Sequence, residues 1–116
     1  MFDFQKLDVY KKAKKFNSTV FKLLKENKFD RVTQDQLRRA SFSIMLNIAE
    51  GSSRFTIPDK KNFLVIARGS VCECASIMEY LKETEQYTPS DLDVWIGDLE
   101  ELSKMLFGLI RKLESK

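Results

Sequence analysis

A chain of 116 residues, 43% hydrophobic and 32% charged, fits one domain with one core, residues 1–116. It contains no histidine, the commonest general base and metal ligand, which argues against an enzyme. Its net charge of +3 is unevenly spread: residues 1–39 carry 11 basic and 5 acidic side chains, residues 40–84 five of each, and residues 85–116 carry 4 basic and 7 acidic.

The opening Met1-Phe2-Asp3-Phe4-Gln5-Lys6 is broken by charge and leads into no apolar stretch of the signal-peptide kind. No later run approaches the ~20 apolar residues that span a bilayer. A cytoplasmic protein with no membrane partner is therefore expected. A first helix should begin between Asp3 and Leu7 and end before Lys28, with Val9, Ala13, Phe16, Val20 and Leu23 on its core side. Lys11, Lys15, Lys22 and Lys25 recur on one exposed face, flanked by Lys12 and Lys14. Lysines suit sequence-independent phosphate contact, so Lys11, Lys12, Lys15, Lys22 and Lys25 are the candidate nucleic-acid-binding residues. No exposed aromatic is interleaved among them, so base stacking is not expected.

Three signals of one spacing punctuate the chain: Thr33-Gln34-Asp35-Gln36, Thr56-Ile57-Pro58-Asp59 and Thr88-Pro89-Ser90-Asp91. Each places Thr three residues before an amide or acid, as in a capping box, and both prolines fall where a missing N–H costs little. They set Thr33, Thr56 and Thr88 as starts of a second, third and fourth helix, with loops at Lys28–Val32, Ser52–Phe55 and Glu85–Tyr87. No sustained two-residue alternation signals a strand.

At about 100° per residue the second helix resolves into three stripes. Leu37, Ala40, Ile44 and Ile48 make a core face, and Phe42, Met45, Leu46 and Ala49 a second apolar group turned away from it. Gln36, Arg39, Ser43, Asn47, Glu50 and Arg54 form a polar line between them. A second apolar face needs a second surface to cover it, which points to subunit contact, or else to a central helix packed on two partners of its own chain. In the polar line, Glu50 and Arg54 have ion-pair spacing, and Ser43 and Asn47 could join a buried network that fixes register.

The third helix carries Phe63, Ala67, Ser70, Cys74, Ile77 and Leu81, with small residues in its middle. Gly69 there costs about 1 kcal/mol relative to alanine, which suggests close approach by another helix. Cys72 and Cys74 lie about 200° apart on a helix and cannot readily bridge or chelate, so both are expected as small apolar fillers. The fourth helix shows Leu92, Trp95, Leu99, Leu102, Leu106, Leu109 and Leu113 in alternating steps of three and four. Ile96, Met105, Phe107 and Ile110 lie off that stripe and add to the apolar surface left for a partner. The fold expected is all-α, an antiparallel up-down four-helix bundle.

The string from Gln36 to Gly51, with Arg38, Arg39, Asn47 and Glu50 among its polar positions, resembles the signature of the S23 ribosomal protein, or 23S rRNA intervening-sequence protein, family. Phe63-Leu64-Val65-Ile66-Ala67-Arg68-Gly69-Ser70 followed by Glu73 resembles the family's third-helix signature, and Phe4 to Ala13 its start. Met45 and Leu46 depart from the pattern, standing where the family often has proline and a small polar residue, which removes a kink and adds apolar bulk. The resemblance implies a bundle assembled as a homopentameric ring. It is similar in architecture to the accessory variability determinant proteins of diversity-generating retroelements, whose basic pentameric surface engages nucleic acid and a reverse transcriptase. It attaches no enzymatic activity, and the roles of Arg38, Arg39, Asn47, Glu50, Ser70 and Glu73 stay open.

Two functions remain. One is an oligomer that binds RNA or DNA through the basic first helix. The other is a scaffold for a protein partner, in which basic and acidic helices complement each other within or between subunits. An enzyme has little to stand on: Glu50 and Glu73 belong to no E-x-x-H motif, and no glycine-rich phosphate loop exists. No catalytic residue, metal ligand or cofactor is expected.

Overall fold

A computed structural model describes residues 1–26, 29–84 and 89–116. After a 3-10 turn at Asp3–Lys6 come four helices, α1 (Asp8–Glu26), α2 (Arg31–Ser53), α3 (Ile57–Glu83) and α4 (Pro89–Glu114), and no strand is found among the described residues. The expected single start of the first helix is split in two. Gln5 Oε1 accepts the Phe2 amide (2.7 Å) and closes the 3-10 turn, Leu7 is extended, and the α-helix proper begins at Asp8.

α2 begins earlier than its Thr33 signal implies. Asp30 is the N-cap: its carboxylate accepts both the Thr33 amide and the Thr33 hydroxyl, each at 2.8 Å. A carboxylate beside the exposed amides of a first turn is held by hydrogen bonds and by the helix dipole together, so it outcompetes the threonine three residues on. Those bonds hold the Asp30 carboxyl below its ordinary range. At α3 the expected cap is present, with Thr56 Oγ1 accepting the Asp59 amide (3.2 Å) and Pro58 in the first turn. The expected loop at Ser52–Phe55 is shorter, because α2 runs on to Ser53. Lys28, the Glu85–Tyr87 loop and the Thr88 cap lie outside the described residues.

Each helix packs on the next, and α1 also touches α4. Contacts join the start of one helix to the end of its neighbour. Lys61 early in α3 meets Glu114 at the end of α4 (2.7 Å), and Lys82 late in α3 meets Asp93 near the start of α4 (2.7 Å). The body measures 46 × 24 × 22 Å, its length set by the 27-residue α3 at about 1.5 Å per residue.

Along the axis runs one core. Val9, Ala13, Phe16, Val20 and Leu23 of α1 and Leu37, Ala40, Ile44 and Ile48 of α2 are buried, as their spacing predicts. In α3 the buried line is instead Leu64, Ala67, Val71, Cys74, Met78 and Leu81, and Phe63, Ser70 and Ile77 are only half-buried. The expected stripe was that helix's α2-facing edge: a helix packed between two neighbours has a broad apolar face whose centre lies between them. In α4, Leu92, Leu99, Leu102 and Leu106 are fully buried, but the string then drifts. Leu109 and Leu113 are half-buried and Ile110 is buried; Trp95, earlier in the string, is also half-buried. A strict three-four alternation has period 3.5, which slips about 20° per heptad against a 3.6-residue helix. Ile96 and Met105 also pack against the core, so of the four apolar residues expected off the stripe only Phe107 faces outward.

Gly69 does not mark a close approach: a side chain there would meet nothing within 4 Å. The tight glycine is Gly51, where a Cβ would lie 3.2 Å from both the Lys60 carbonyl and Phe63 Cβ. It lets the end of α2 pass against the start of α3. Cys74 is the buried filler expected, whereas Cys72 is exposed.

Candidate nucleic-acid interface

α1 is positioned by two contacts on opposite flanks. Towards α2, Ser41 Oγ lies 3.0 Å from Asn17 Oδ1 and 3.1 Å from the Arg38 carbonyl, two acceptors sharing its one proton. Ser41 is the buried polar side chain of the core, and an unpaired hydroxyl there would cost roughly 1–3 kcal/mol. Towards α4, Lys12 Nζ sits 2.9 Å from Glu101 and 3.6 Å from Asp98. The hydrogen bond to Glu101 holds the Lys12 ammonium above its ordinary range against partial desolvation, with Asp98 adding attraction. These contacts, with Ala13, Phe16 and Val20 fully inside, fix the rotation of α1 about its own axis.

That rotation turns Lys11, Lys15, Lys22 and Lys25 outward, all exposed, with Lys14 beside them. None of these five has an ion pair among the described residues, whereas Lys12 is taken up by α4. Lys15, Ser18, Thr19, Phe21, Lys22, Lys25 and Glu26 enclose a shallow trough along the helix, open to solvent. The Ser18 and Thr19 hydroxyls donate back to the Lys14 and Lys15 carbonyls, at 3.1 and 3.2 Å.

Phe21 departs from the expectation of a stripe without aromatics. Its ring is 48% exposed among the lysines, and the Arg38 guanidinium of α2 stands 4.6 Å from its centroid. Phe21 falls outside both the apolar and the lysine spacing of α1, so periodicity gave no signal for it. Arg38 thereby joins the basic surface across the α1–α2 seam.

On α2 the polar line is partly a seam with α3. Ser43 and Ser70 hydroxyls lie 2.8 Å apart, and Asn47 Nδ2 donates to the Ser43 carbonyl (2.8 Å) and hydroxyl (2.9 Å). Farther along, Arg54 pairs with Glu50 at 3.1 Å and lies 4.5 Å from the Phe63 ring centroid. Arg39 and Glu73 are exposed. The second apolar group divides: Phe42 (47%) and Leu46 (44%) face outward, while Met45 packs against the core and Ala49 is half-buried. Val65 and Ile66 of α3 are exposed as well.

The described residues contain no group of three or more histidine, cysteine or acidic side chains that could hold a metal, and no helix among them is long and apolar enough to cross a membrane. Burial pushes the Cys74 thiol up to about 12, with the Glu73 charge adding, so it is no nucleophile.

A family model described as 23S rRNA-intervening sequence protein matches residues 5–108. Among solved structures, a protein of unknown function from the S23 ribosomal protein family of Bacteroides thetaiotaomicron VPI-5482 is similar over 88% of this chain and 97% of its own, at 28% identity and a TM-score of 0.82. No protein with a curated description matches.

Proposed function

Because the chain belongs to the 23S rRNA-intervening sequence protein family, we propose that it is a non-enzymatic nucleic-acid-binding protein whose contact surface is the lysine face of α1. One observation carries this reading: five exposed lysines along one face with no carboxylate partner among the described residues, next to one that has two. An uncompensated line of ammonium groups is a site for phosphates, and each contact formed releases a condensed counterion. The protein then acts as an up-down bundle repeated in a homopentameric ring, where a face of modest charge is multiplied. Phe42 and Leu46, with Ile66 nearby on α3, supply an outward apolar surface for a neighbouring copy to cover.

The test is a binding assay with RNA and DNA on the native chain and on a Lys15→Glu/Lys22→Glu variant. Both positions are exposed, so the fold should persist. Micromolar or tighter binding that the double variant abolishes supports the proposal. Equal binding by both proteins refutes it. A second reading, a scaffold for a protein partner, is favoured by the Lys12 contacts with Asp98 and Glu101, which use basic–acidic complementarity inside the chain.

A further inference from the structure

Phe21 lies off the core stripe of α1, with about half of its surface exposed. The core residues around it on α1 are Phe16, Val20, Leu23 and Leu24, all buried, while Phe21 is half exposed and lines the trough together with Lys22 and Lys25. The exposed half of the ring contributes nothing to the core. It is nevertheless held in place, because the Arg38 guanidinium lies over it at 4.6 Å. Arg38 itself is positioned by the turn of α2 whose carbonyl Ser41 contacts at 3.1 Å. The ring also forms a wall of the lysine-lined trough, and Arg38 does not. The ring is thus held by a cation and shares the trough with three ammonium groups.

We infer that Phe21, backed by Arg38, is a stacking platform for an unpaired base, and that the α1 trough takes single-stranded nucleic acid in preference to duplex. A single strand offers this site two things at once, phosphates for Lys15, Lys22 and Lys25 and a free base face for the ring. A duplex offers only the phosphates, its bases being stacked on each other. The cation–π contact with Arg38 fixes the orientation of the ring, which lowers the ordering cost of stacking a base on it. Glu26, the acidic member of the trough, lies one turn beyond Lys22 and sets the end past which the phosphate chain does not run. The inference rests on the nucleic-acid reading of α1.

The experiment compares oligo-U, oligo-dT and their duplexes with complementary strands, each matched to the roughly 28 Å length of the 19-residue α1. Three proteins are titrated at low salt: the native chain, Phe21→Leu and Phe21→Trp. The native chain should hold single strands more tightly than duplex. Phe21→Leu should weaken single-strand binding about tenfold, the value of one stacked base, and leave duplex binding unchanged. Phe21→Trp should restore it. Circular dichroism confirms that the variants fold, as expected at a half-exposed position. Equal affinity of the native chain for single and double strands, or indifference of single-strand binding to Phe21→Leu, overturns the stacking site and leaves the phosphate reading standing. Loss of all binding selectivity for nucleic acid, with Lys15→Glu/Lys22→Glu also without effect, overturns both. Equal affinity for oligo-U and oligo-dT supports base stacking as the source of the preference, whereas binding of duplex alone contradicts it.

Discussion

At the scale of single residues, position on the helix cylinder governs behaviour more than residue type. Two cysteines two residues apart end in opposite environments: Cys74 is buried with its thiol at about 12, and Cys72 faces water. A thiol reagent at neutral pH should therefore modify one cysteine of the native chain, Cys72, and the second only after denaturation; mass spectrometry reads both numbers. Glycines divide in the same way. At Gly51 a methyl group would press on the Lys60 carbonyl and Phe63 Cβ, so Gly51→Ala should destabilise by about 1–2 kcal/mol despite its better helix propensity. At Gly69 the space is open, so Gly69→Ala should stabilise by up to about 1 kcal/mol. Denaturant melts of the two variants should move in opposite directions. Sequence alone pointed to Gly69, because a glycine in the middle of a helix is conspicuous. Gly51, near the end of one, carried no such signal. What distinguishes them is the path of α3, which no residue local to either glycine encodes.

At the scale of helices, α1 and α2 were legible because the apolar residues at core spacing are the ones that are buried. α3 and α4 were less so, since a broad face or a long helix lets the buried line leave the spacing that best fits the letters. Leu64, Val71 and Met78 occupy the centre of α3 only because α2 and α4 flank it on both sides. The start of α2 was misplaced by three residues for a chemical reason: Asp30 offers the first-turn amides a charged acceptor, and Thr33 becomes its donor. This cap predicts a pH effect of definite sign. The folded Asp30 carboxyl lies below its ordinary value of 3.8, so its contribution to stability is present above that pH and is lost as pH falls through the lower, folded value. Asp30→Ala should lower the melting temperature at neutral pH, and the difference from the native chain should close as the pH is taken below about 4. A gap that stays constant down to strongly acidic pH would assign the cap to the neutral hydrogen bond instead.

At the scale of the whole molecule, the lysine stripe was readable from spacing, but its partition was not. Periodicity grouped Lys12 with Lys11 and Lys15; the packing of α4 on α1 assigns it to Glu101 and Asp98. Phe21 and Arg38 come from separate helices and meet only across their seam, so no single-helix pattern could pair them. The outward apolar residues narrow likewise to Phe42 and Leu46 on α2, with Val65 and Ile66 on α3. If these are covered in an assembly, light scattering at micromolar concentration should give a multiple of 13.5 kDa, and Phe42→Glu/Leu46→Glu should return the chain to a folded monomer. A native mass of 13.5 kDa would remove the ring and leave a single bundle bearing one basic face. That face is tested most directly by the salt dependence of single-stranded RNA binding. Lys11, Lys15, Lys22 and Lys25 of one chain predict that log affinity falls linearly with log salt concentration with a slope of about −3 or steeper. A flat dependence, or no binding even at about 50 mM salt, would contradict the assignment of α1 as the nucleic-acid surface.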